Sequence, residues 1–307
     1  MDYHKIINEV QGISKLTKEL YIGKLQSLSR LMKKDINYIL EHRDEVIKFL
    51  ETMKNPRLAD GKQISYTTQK SYVSAIVGLL KHAGLLTDPK YSHWRDKYIE
   101  MSRATDDEMM SRVATDRQNK SYVDWDTIVR VRDSLDYGSN EHLFLCIYSM
   151  IPPVRADYGE VKFYKGTPKN DMGNHIILGK KPKVVLQDYK TAKTYGKIET
   201  PIPPELNKVI TTSLQQRPRK HLFESMYERP FSKSSNFISF ANNMLRKIFK
   251  NEYISLTTLR HSYIKWIDNE FENQRITYTQ RKEIARQMGH DFKFSTAQLY
   301  NLKYDSN

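Results

Sequence analysis

Five short segments in the second half of the chain carry side chains that together could act on a phosphate. They are Ile-Pro-Pro-Val-Arg-Ala-Asp-Tyr at 151–158, the run around Lys190, Leu-Thr-Thr-Leu-Arg-His-Ser at 256–262, Met-Gly-His at 288–290, and Tyr300. The guanidiniums of Arg155 and Arg260 are suited to hold phosphate oxygens through paired hydrogen bonds, and they stay charged at any working pH. A phenol such as Tyr300 is a poor nucleophile unless its developing phenolate lies among cations. The set therefore indicates covalent chemistry at phosphorus.

The elements that would position these residues form a mixed second domain. Helical periodicity covers residues 125–135 and 141–150, and strand-like runs follow at 159–163 and 175–178. Residues 183–189 and 197–202 predict the two strands of a hairpin, with Lys190 at the end of the first strand and Lys193 in the turn. From Pro204 onward the pattern is helical again. Because Lys193 lies in the turn itself, it remains an alternative to Lys190 as the functional lysine of this hairpin.

The first third of the chain is predicted to be all helical. Apolar residues recur at helical spacing over residues 17–34, 44–53, 66–82 and 91–110. Thr67 or Thr68 is the expected N-cap of the third segment, and Gly84 its stop. The polar stretch 104–120 shows no core pattern near its end, so the domain boundary is placed there. We expect a mainly α chain with a small antiparallel β-sheet, divided into an all-helical domain, 1–112, and a mixed α+β domain, 113–307.

The charge balance favours a polyanionic partner. The 307 residues include 50 Lys and Arg against 36 Asp and Glu, a formal charge of +14, and phosphate contacts supply most non-specific affinity for nucleic acid. The single cysteine, Cys146, excludes a disulfide framework and a Cys-ligated zinc site. The histidines show no metal-ligand spacing, no nucleotide-binding glycine loop is present, and no apolar run reaches the roughly 20 residues that cross a bilayer. We expect no cofactor, no nucleotide and no membrane partner.

In their order and spacing the five segments resemble the tyrosine recombinase (phage integrase) family, whose catalytic domain is shared with type IB topoisomerases. That family has an Arg after a helix, a Lys on a β-hairpin, a His-x-x-Arg box, a Gly-His pair and, shortly afterwards, a nucleophilic Tyr. The matching positions here are Arg155, Lys190, Arg260, His290 and Tyr300. The resemblance covers residues 121–304, and the helical N-terminal domain is similar to the core-binding domain of the family.

Two departures from the family pattern leave alternatives open. The first position of the His-x-x-Arg box is Thr257, whose hydroxyl could bond a phosphate oxygen but does not replace a histidine in proton shuttling. The interval from His290 to Tyr300 is one residue longer than usual, and Tyr304 is the alternative nucleophile. Asp157, close to Arg155, is expected to orient that arginine or to pair with another basic group.

The resemblance implies a site-specific DNA recombinase or integrase of a mobile element or virus, which cuts and rejoins strands through a 3′-phosphotyrosyl intermediate without metal or ATP. On this hypothesis both arginines and His290 bind the scissile phosphate, Lys190 protonates the 5′-oxygen leaving group, and Tyr300 is the nucleophile. The expected partner is double-stranded DNA, bound by a homotetramer of an intracellular, DNA-associated protein. A type IB-like topoisomerase and a non-catalytic DNA-binding protein that retains the fold are the alternatives, and Thr257 favours the second of them.

Lysines along the predicted helix at 66–82 are the expected DNA contacts of the first domain. Lys62, Lys70 and Lys81 lie on or near this helix, which could enter a major groove and contact phosphates. A solvated face of a helical bundle explains the same lysines equally well.

Overall fold

The computed structural model describes residues 2–55, 61–166, 172–289 and 302–304. The chain divides into two compact units, Met1–Ser111 and Arg112–Asn307. Most described residues are helical, and one small four-stranded sheet lies in the second unit. The prediction of a mainly helical chain with a small sheet is therefore confirmed. No helix in the described ranges has the length and hydropathy of a membrane span.

The described part of the first unit contains six helices. They are α1 (Tyr3–Glu9), α2 (Lys15–Met32), α3 (Ile36–Glu41), α4 (Arg43–Thr52), α5 (Tyr66–His82) and α6 (Ser92–Ser111). The sequence does not predict α1 and α3, because helices this short contain too few turns to show an apolar period. The N-cap of α5 is Ser65, whose hydroxyl accepts from the amide of Thr68, so the expected cap at Thr67 or Thr68 is wrong.

Helix α5 is the buried centre of the first unit. Its apolar residues recur every three or four positions, and most of them are inaccessible to solvent: Tyr72, Val73, Ala75, Ile76, Leu79 and Leu80. Gly78 lets the ring of Tyr21 on α2 lie directly against α5, because a Cβ at this position would come 2.5 Å from Tyr21 Cε2. The buried indole of Trp94 on α6 donates to the carbonyl oxygen of Leu40 at 2.9 Å. These contacts join the helices around one apolar core.

The second unit contains the remaining helices. They are α7 (Asp116–Ser121), α8 (Trp125–Asp133), α9 (Asn140–Ser149), α10 (Ala192–Tyr195), α11 (Pro204–Gln216), α12 (Ser234–Phe249), α13 (Leu256–Glu272) and α14 (Tyr278–Gln287). Helix α7 covers the end of the polar stretch 104–120, which shows no core pattern there, and it begins with a capping box between Thr115 and Gln118. The Asp-rich start of the same stretch belongs to α6.

The sheet of the second unit is mixed, so the prediction of an antiparallel sheet is wrong for one pair of strands. Its strands, β1 (Lys162–Lys165), β2 (His175–Leu178), β3 (Lys183–Leu186) and β4 (Ile198–Pro201), lie in chain order. β2 pairs antiparallel with β3 and β3 with β4, whereas β1 and β2 are parallel, with Lys162 opposite His175. Side chains alternate with the same period of two in both kinds of pairing, so the pattern alone does not reveal strand direction.

The hairpin strands are shorter than predicted, and Lys190 does not lie at the end of a strand. β3 ends at Leu186, and α10 occupies the connection to β4. The backbone amides of Gln187 and Asp188 bond the side-chain oxygen of Asn174 instead of continuing the ladder to β4. The residues from Gln187 to Thr191 therefore leave the sheet as a separate loop, here called the Lys190 loop.

Candidate active site

The backbone of Arg155 is fixed directly beside the apolar core of the second unit. Ile151 and Val154, which precede it, are buried in that core. The carbonyl oxygen of Arg155 accepts a hydrogen bond from the hydroxyl of the fully buried Tyr148 at 2.9 Å. Its amide donates to Asp157 Oδ2 at 3.1 Å. Hydrogen bonds to its carbonyl oxygen and from its amide thus hold Arg155 in the turn after α9. Its side chain remains half-exposed.

Arg260 lies near the start of α13, with only 7% of its surface accessible. A capping box between Ser255 and Thr258 begins the helix, and the residues from Thr258 to Ile264 are all buried. Arg260 Nη2 donates a long hydrogen bond, 3.5 Å, to the carbonyl oxygen of Met288. The guanidinium is therefore held at the C-terminal end of α14.

Asp157 connects the two arginines electrostatically. Burial raises the pKa of this carboxyl group above its ordinary value, while the positive charges of Arg260 and Arg155 oppose the rise. Both guanidiniums thus act on one carboxyl group although they are far apart in the sequence. The positive charges of Arg155 and Arg260 thus both reach the carboxyl group of Asp157.

The Lys190 loop is attached to the same site by hydrogen bonds on both sides of the lysine. Before it, the side-chain amide of Asn174 donates to the carbonyl oxygens of Asp157 at 3.1 Å and Asp188 at 2.7 Å. After it, the hydroxyl of Thr191 donates to the carbonyl oxygen of Gly289 at 3.0 Å. The Lys190 side chain itself is exposed. An exposed ammonium on a loop anchored at both ends can donate a proton to a ligand that binds there.

Helix α14 is held against α13 by a buried ion pair. Arg281 Nη2 lies 2.5 Å from Asp268 Oδ1, and the two side chains are only 9% and 6% exposed. Met288 and Gly289 follow α14, and Gly289 has a φ of +66°. A Cβ at Gly289 would come 3.3 Å from Tyr189 Cε2, so the missing side chain allows the Lys190 loop to approach closely.

His290 and Tyr300, the predicted phosphate ligand and nucleophile, lie outside the described residues. The alternative nucleophile, Tyr304, stacks on Tyr122 with ring centroids 3.9 Å apart. Burial raises its pKa above the ordinary value, and among the described residues its hydroxyl has no hydrogen-bond partner. A phenol whose ionised form is disfavoured by burial is a worse nucleophile, so this arrangement does not favour Tyr304.

Lys193, the alternative to Lys190, and Thr257, at the first position of the His-x-x-Arg box, are both accessible from solvent. Lys193 lies on α10 and is exposed, as Lys190 is, so burial does not distinguish the two lysines. Thr257 is exposed in the first turn of α13. Its neighbour Thr258, not Thr257, makes the capping hydrogen bonds with Ser255. The hydroxyl of Thr257 is therefore not engaged by the helix cap.

The predicted DNA-contacting lysines lie on α5 or just before it in the first unit. Lys62 precedes the helix and is exposed, and Lys81 is exposed in its last turn. The ammonium of Lys70 lies 6.0 Å from the ring centroid of Tyr98. Lys81 follows Lys70 by eleven positions, which is close to three full turns, so both lie on one face of α5.

Two residues of the site carry no signal in the sequence. Asn174 and Thr191 act through hydrogen bonds to backbone atoms of residues distant in the chain, and no local pattern distinguishes them from other polar loop residues. Among the described residues, no group of three or more His, Cys, Asp or Glu side chains could hold a metal ion.

Comparison with known proteins finds remote similarity among solved structures. The sequence matches no protein-family model and no curated protein. Among solved structures, the crystal structure of XerA recombinase is similar with a TM-score of 0.42 and 16% identity, over 99% of this chain and 94% of that chain. A likeness of this size concerns the fold alone, so a function has to be supported by the chain's own side chains.

Proposed function

We propose that this chain cuts and rejoins DNA strands as a site-specific recombinase, through a 3′-phosphotyrosyl intermediate. The observation that carries the proposal is the convergence of three separate segments. The side chain of Asn174 bonds both the turn that follows Arg155, at Asp157, and the Lys190 loop, at Asp188. Thr191 of the same loop bonds Gly289, which follows Met288, the backbone partner of Arg260. A cluster of fixed cations is what stabilisation of a charged phosphoryl transition state requires.

The two guanidiniums are assigned to the non-bridging oxygens of the scissile phosphate. The Tyr300 phenol gives up its proton to water as its oxygen attacks, forms a tyrosyl–phosphorus bond and breaks the bond from phosphorus to the 5′-oxygen. The departing oxygen takes a proton from the ammonium of Lys190, and the pentacoordinate transition state is stabilised by Arg155, Arg260 and His290. Rejoining is the reverse: the 5′-hydroxyl attacks phosphorus, returns its proton to Lys190 and releases the phenolate.

The proposed partner is double-stranded DNA, and the formal charge of +14 agrees with a polyanionic ligand. Exchange of strands between two duplexes requires four cuts, which favours a homotetramer on DNA. The proposed location is wherever the target DNA lies inside the cell.

The deciding experiment is a search for covalent protein–DNA adduct. Wild-type protein and the Tyr300→Phe and Tyr304→Phe variants are incubated with nicked or supercoiled DNA, then denatured and separated by electrophoresis. We expect adduct with the wild type and with Tyr304→Phe, and none with Tyr300→Phe. Adduct that is lost only in Tyr304→Phe would move the nucleophile to that residue.

Two further assays separate the candidate activities once adduct is found. Recombination between two target sites supports a recombinase, whereas relaxation of supercoils without strand exchange supports a type IB-like topoisomerase. Tight DNA binding with no adduct from the wild type would overturn the proposal in favour of a non-catalytic DNA-binding protein.

A further inference from the structure

We propose that Asn174 is a positioning residue that fixes the Lys190 loop relative to the turn carrying Arg155. The inference rests on the proposed function, because it assigns Asn174 a part in protonation of the leaving group. Asn174 directly precedes β2 and is only 9% exposed. Its own carbonyl oxygen accepts from the amide of Lys162 at 3.2 Å, so its backbone is anchored beside the sheet.

The side chain of Asn174 makes four hydrogen bonds to the backbone of two other segments. Its Oδ1 accepts from the amides of Gln187 and Asp188, both at 2.9 Å. Its Nδ2 donates to the carbonyl oxygens of Asp188 at 2.7 Å and Asp157 at 3.1 Å. Two acceptor sites and two donor hydrogens are the full capacity of a primary amide. An aspartate would offer only the acceptors, and an apolar residue would offer neither.

The loop, not the Arg155 turn, depends on this side chain. The turn is also held by the Tyr148 hydroxyl, by the Asp157 carboxyl group and by the burial of Ile151 and Val154. The loop has left the strand ladder before Lys190. The bonds to Asn174 hold the part before the lysine, and the Thr191–Gly289 bond holds the part after it. Loss of the amide should therefore displace the ammonium of Lys190 while the arginines keep their places.

Asn251 is a matched control for such an amide. Its Nδ2 donates to the carbonyl oxygen of Lys120 at 2.9 Å, and its Oδ1 accepts from the amide of Tyr253 at 2.9 Å. It thus joins two distant segments by the same chemistry, and these two hydrogen bonds go to neither the Lys190 loop nor the Arg155 turn. Asn251→Ala should leave DNA cleavage at the wild-type rate.

The test compares two DNA substrates in single-turnover cleavage. One has the ordinary 5′-bridging oxygen at the scissile phosphate, and the other has sulfur at that position. A thiolate leaves without needing a proton, so a defect in the proton donor disappears on the sulfur substrate. Lys190→Ala serves as the reference for this behaviour. A defect in folding, DNA binding or phosphate contacts slows both substrates alike.

On the oxygen substrate, Asn174→Ala should cleave about 10- to 100-fold more slowly, since small displacements of a reacting group have effects of this size. On the sulfur substrate its rate should return to near that of the wild type, with DNA affinity unchanged. Asn174→Asp keeps both acceptors but places a carboxylate oxygen against the carbonyl oxygens of Asp157 and Asp188, so it should show a defect at least as large with the same rescue. If thermal unfolding shows that Asn174→Ala is not folded, Asn174→Asp replaces it in the comparison of the two substrates.

The outcomes separate the two claims. A wild type that forms no adduct overturns the proposed function and the role of Asn174 with it. A wild type that cleaves, together with variants at Asn174 that cleave normally or are slowed equally on both substrates, overturns the role of Asn174 alone.

Discussion

The hydroxyl of Thr191 donates a hydrogen bond to the carbonyl oxygen of Gly289 at 3.0 Å. Thr191 directly follows Lys190, and Gly289 directly precedes His290. This bond therefore links the backbones next to two residues of the proposed mechanism, across 98 positions of sequence. Gly289 has a left-handed backbone, with a φ of +66°, which glycine adopts without the steric cost of a Cβ.

Thr191→Val should slow DNA cleavage about 10-fold while leaving DNA affinity unchanged. Valine has nearly the same shape but donates no hydrogen bond, so the loop loses its attachment to Gly289. Thr191→Ser should retain most of the activity. The measurement is the single-turnover rate of adduct formation at saturating DNA.

Thr211→Val is the control for this substitution. The Thr211 hydroxyl donates to the carbonyl oxygen of Asn207 at 2.8 Å within α11, away from the loop. A rate reduced equally in both valine variants would contradict a specific role for the Thr191–Gly289 bond.

Arg155→Ala and Arg260→Ala should each lower the rate of adduct formation by about 100-fold or more, since each removes donors that stabilise charge in the transition state. Affinity for DNA should fall much less, because it is shared among many phosphate contacts. Lysine at either position should restore only part of the rate, since it lacks the bidentate geometry of arginine. Normal cleavage by either alanine variant would contradict the phosphate clamp.

Protonation of His261 should weaken the second unit in mild acid. Burial, followed by the charge of Arg260, lowers the pKa of His261 to about 4. Between this value and the ordinary pKa of about 6.5, the unfolded chain binds a proton that the folded chain does not. The free energy of unfolding therefore falls as the pH drops through this window. The decrease in the free energy of unfolding caused by His261 is negligible above about pH 7 and reaches about 2 kcal/mol at pH 5.

The check is chemical denaturation of the wild type and His261→Gln at pH 7 and pH 5, followed by tryptophan fluorescence. From pH 7 to pH 5, the free energy of unfolding should decrease by about 2 kcal/mol less in the variant than in the wild type. Equal losses in the two proteins would show that His261 is not the group responsible.

Substitution of Lys62, Lys70 and Lys81 by Gln should make DNA binding less sensitive to salt. Each lost phosphate contact lowers the slope of log affinity against log salt by about 0.9, so the triple variant should lose between about 2 and 3 units of slope. The loss should be similar for unrelated sequences, because phosphate contacts do not read bases.

Lys90 and Lys97 provide the comparison for this experiment. Their ammonium groups pair with Glu41 at 2.6 Å and Glu100 at 2.8 Å, so substitution by Gln should change the slope less. An unchanged slope in the triple variant would place the DNA on another surface.

Long amphipathic helices follow from the sequence because their apolar period repeats over several turns. The predicted residues 66–82 coincide with α5 for this reason. The short helices α1, α3 and α7 do not follow, since six or seven residues hold fewer than two turns. The sequence also fails to predict the parallel pairing of β1 with β2. The reason here is that the pairing direction depends on the path of the chain between the strands.

By itself, the sequence determined which side chains were available for chemistry and the helical elements around Arg155 and Arg260. Only the tertiary structure decided that Asp157 lies within the field of both guanidiniums, and that Asn174 and Thr191 hold the Lys190 loop. These relationships are bonds and fields between atoms distant in the sequence. They arise only when packing brings those backbones together, so no local pattern of residue types encodes them.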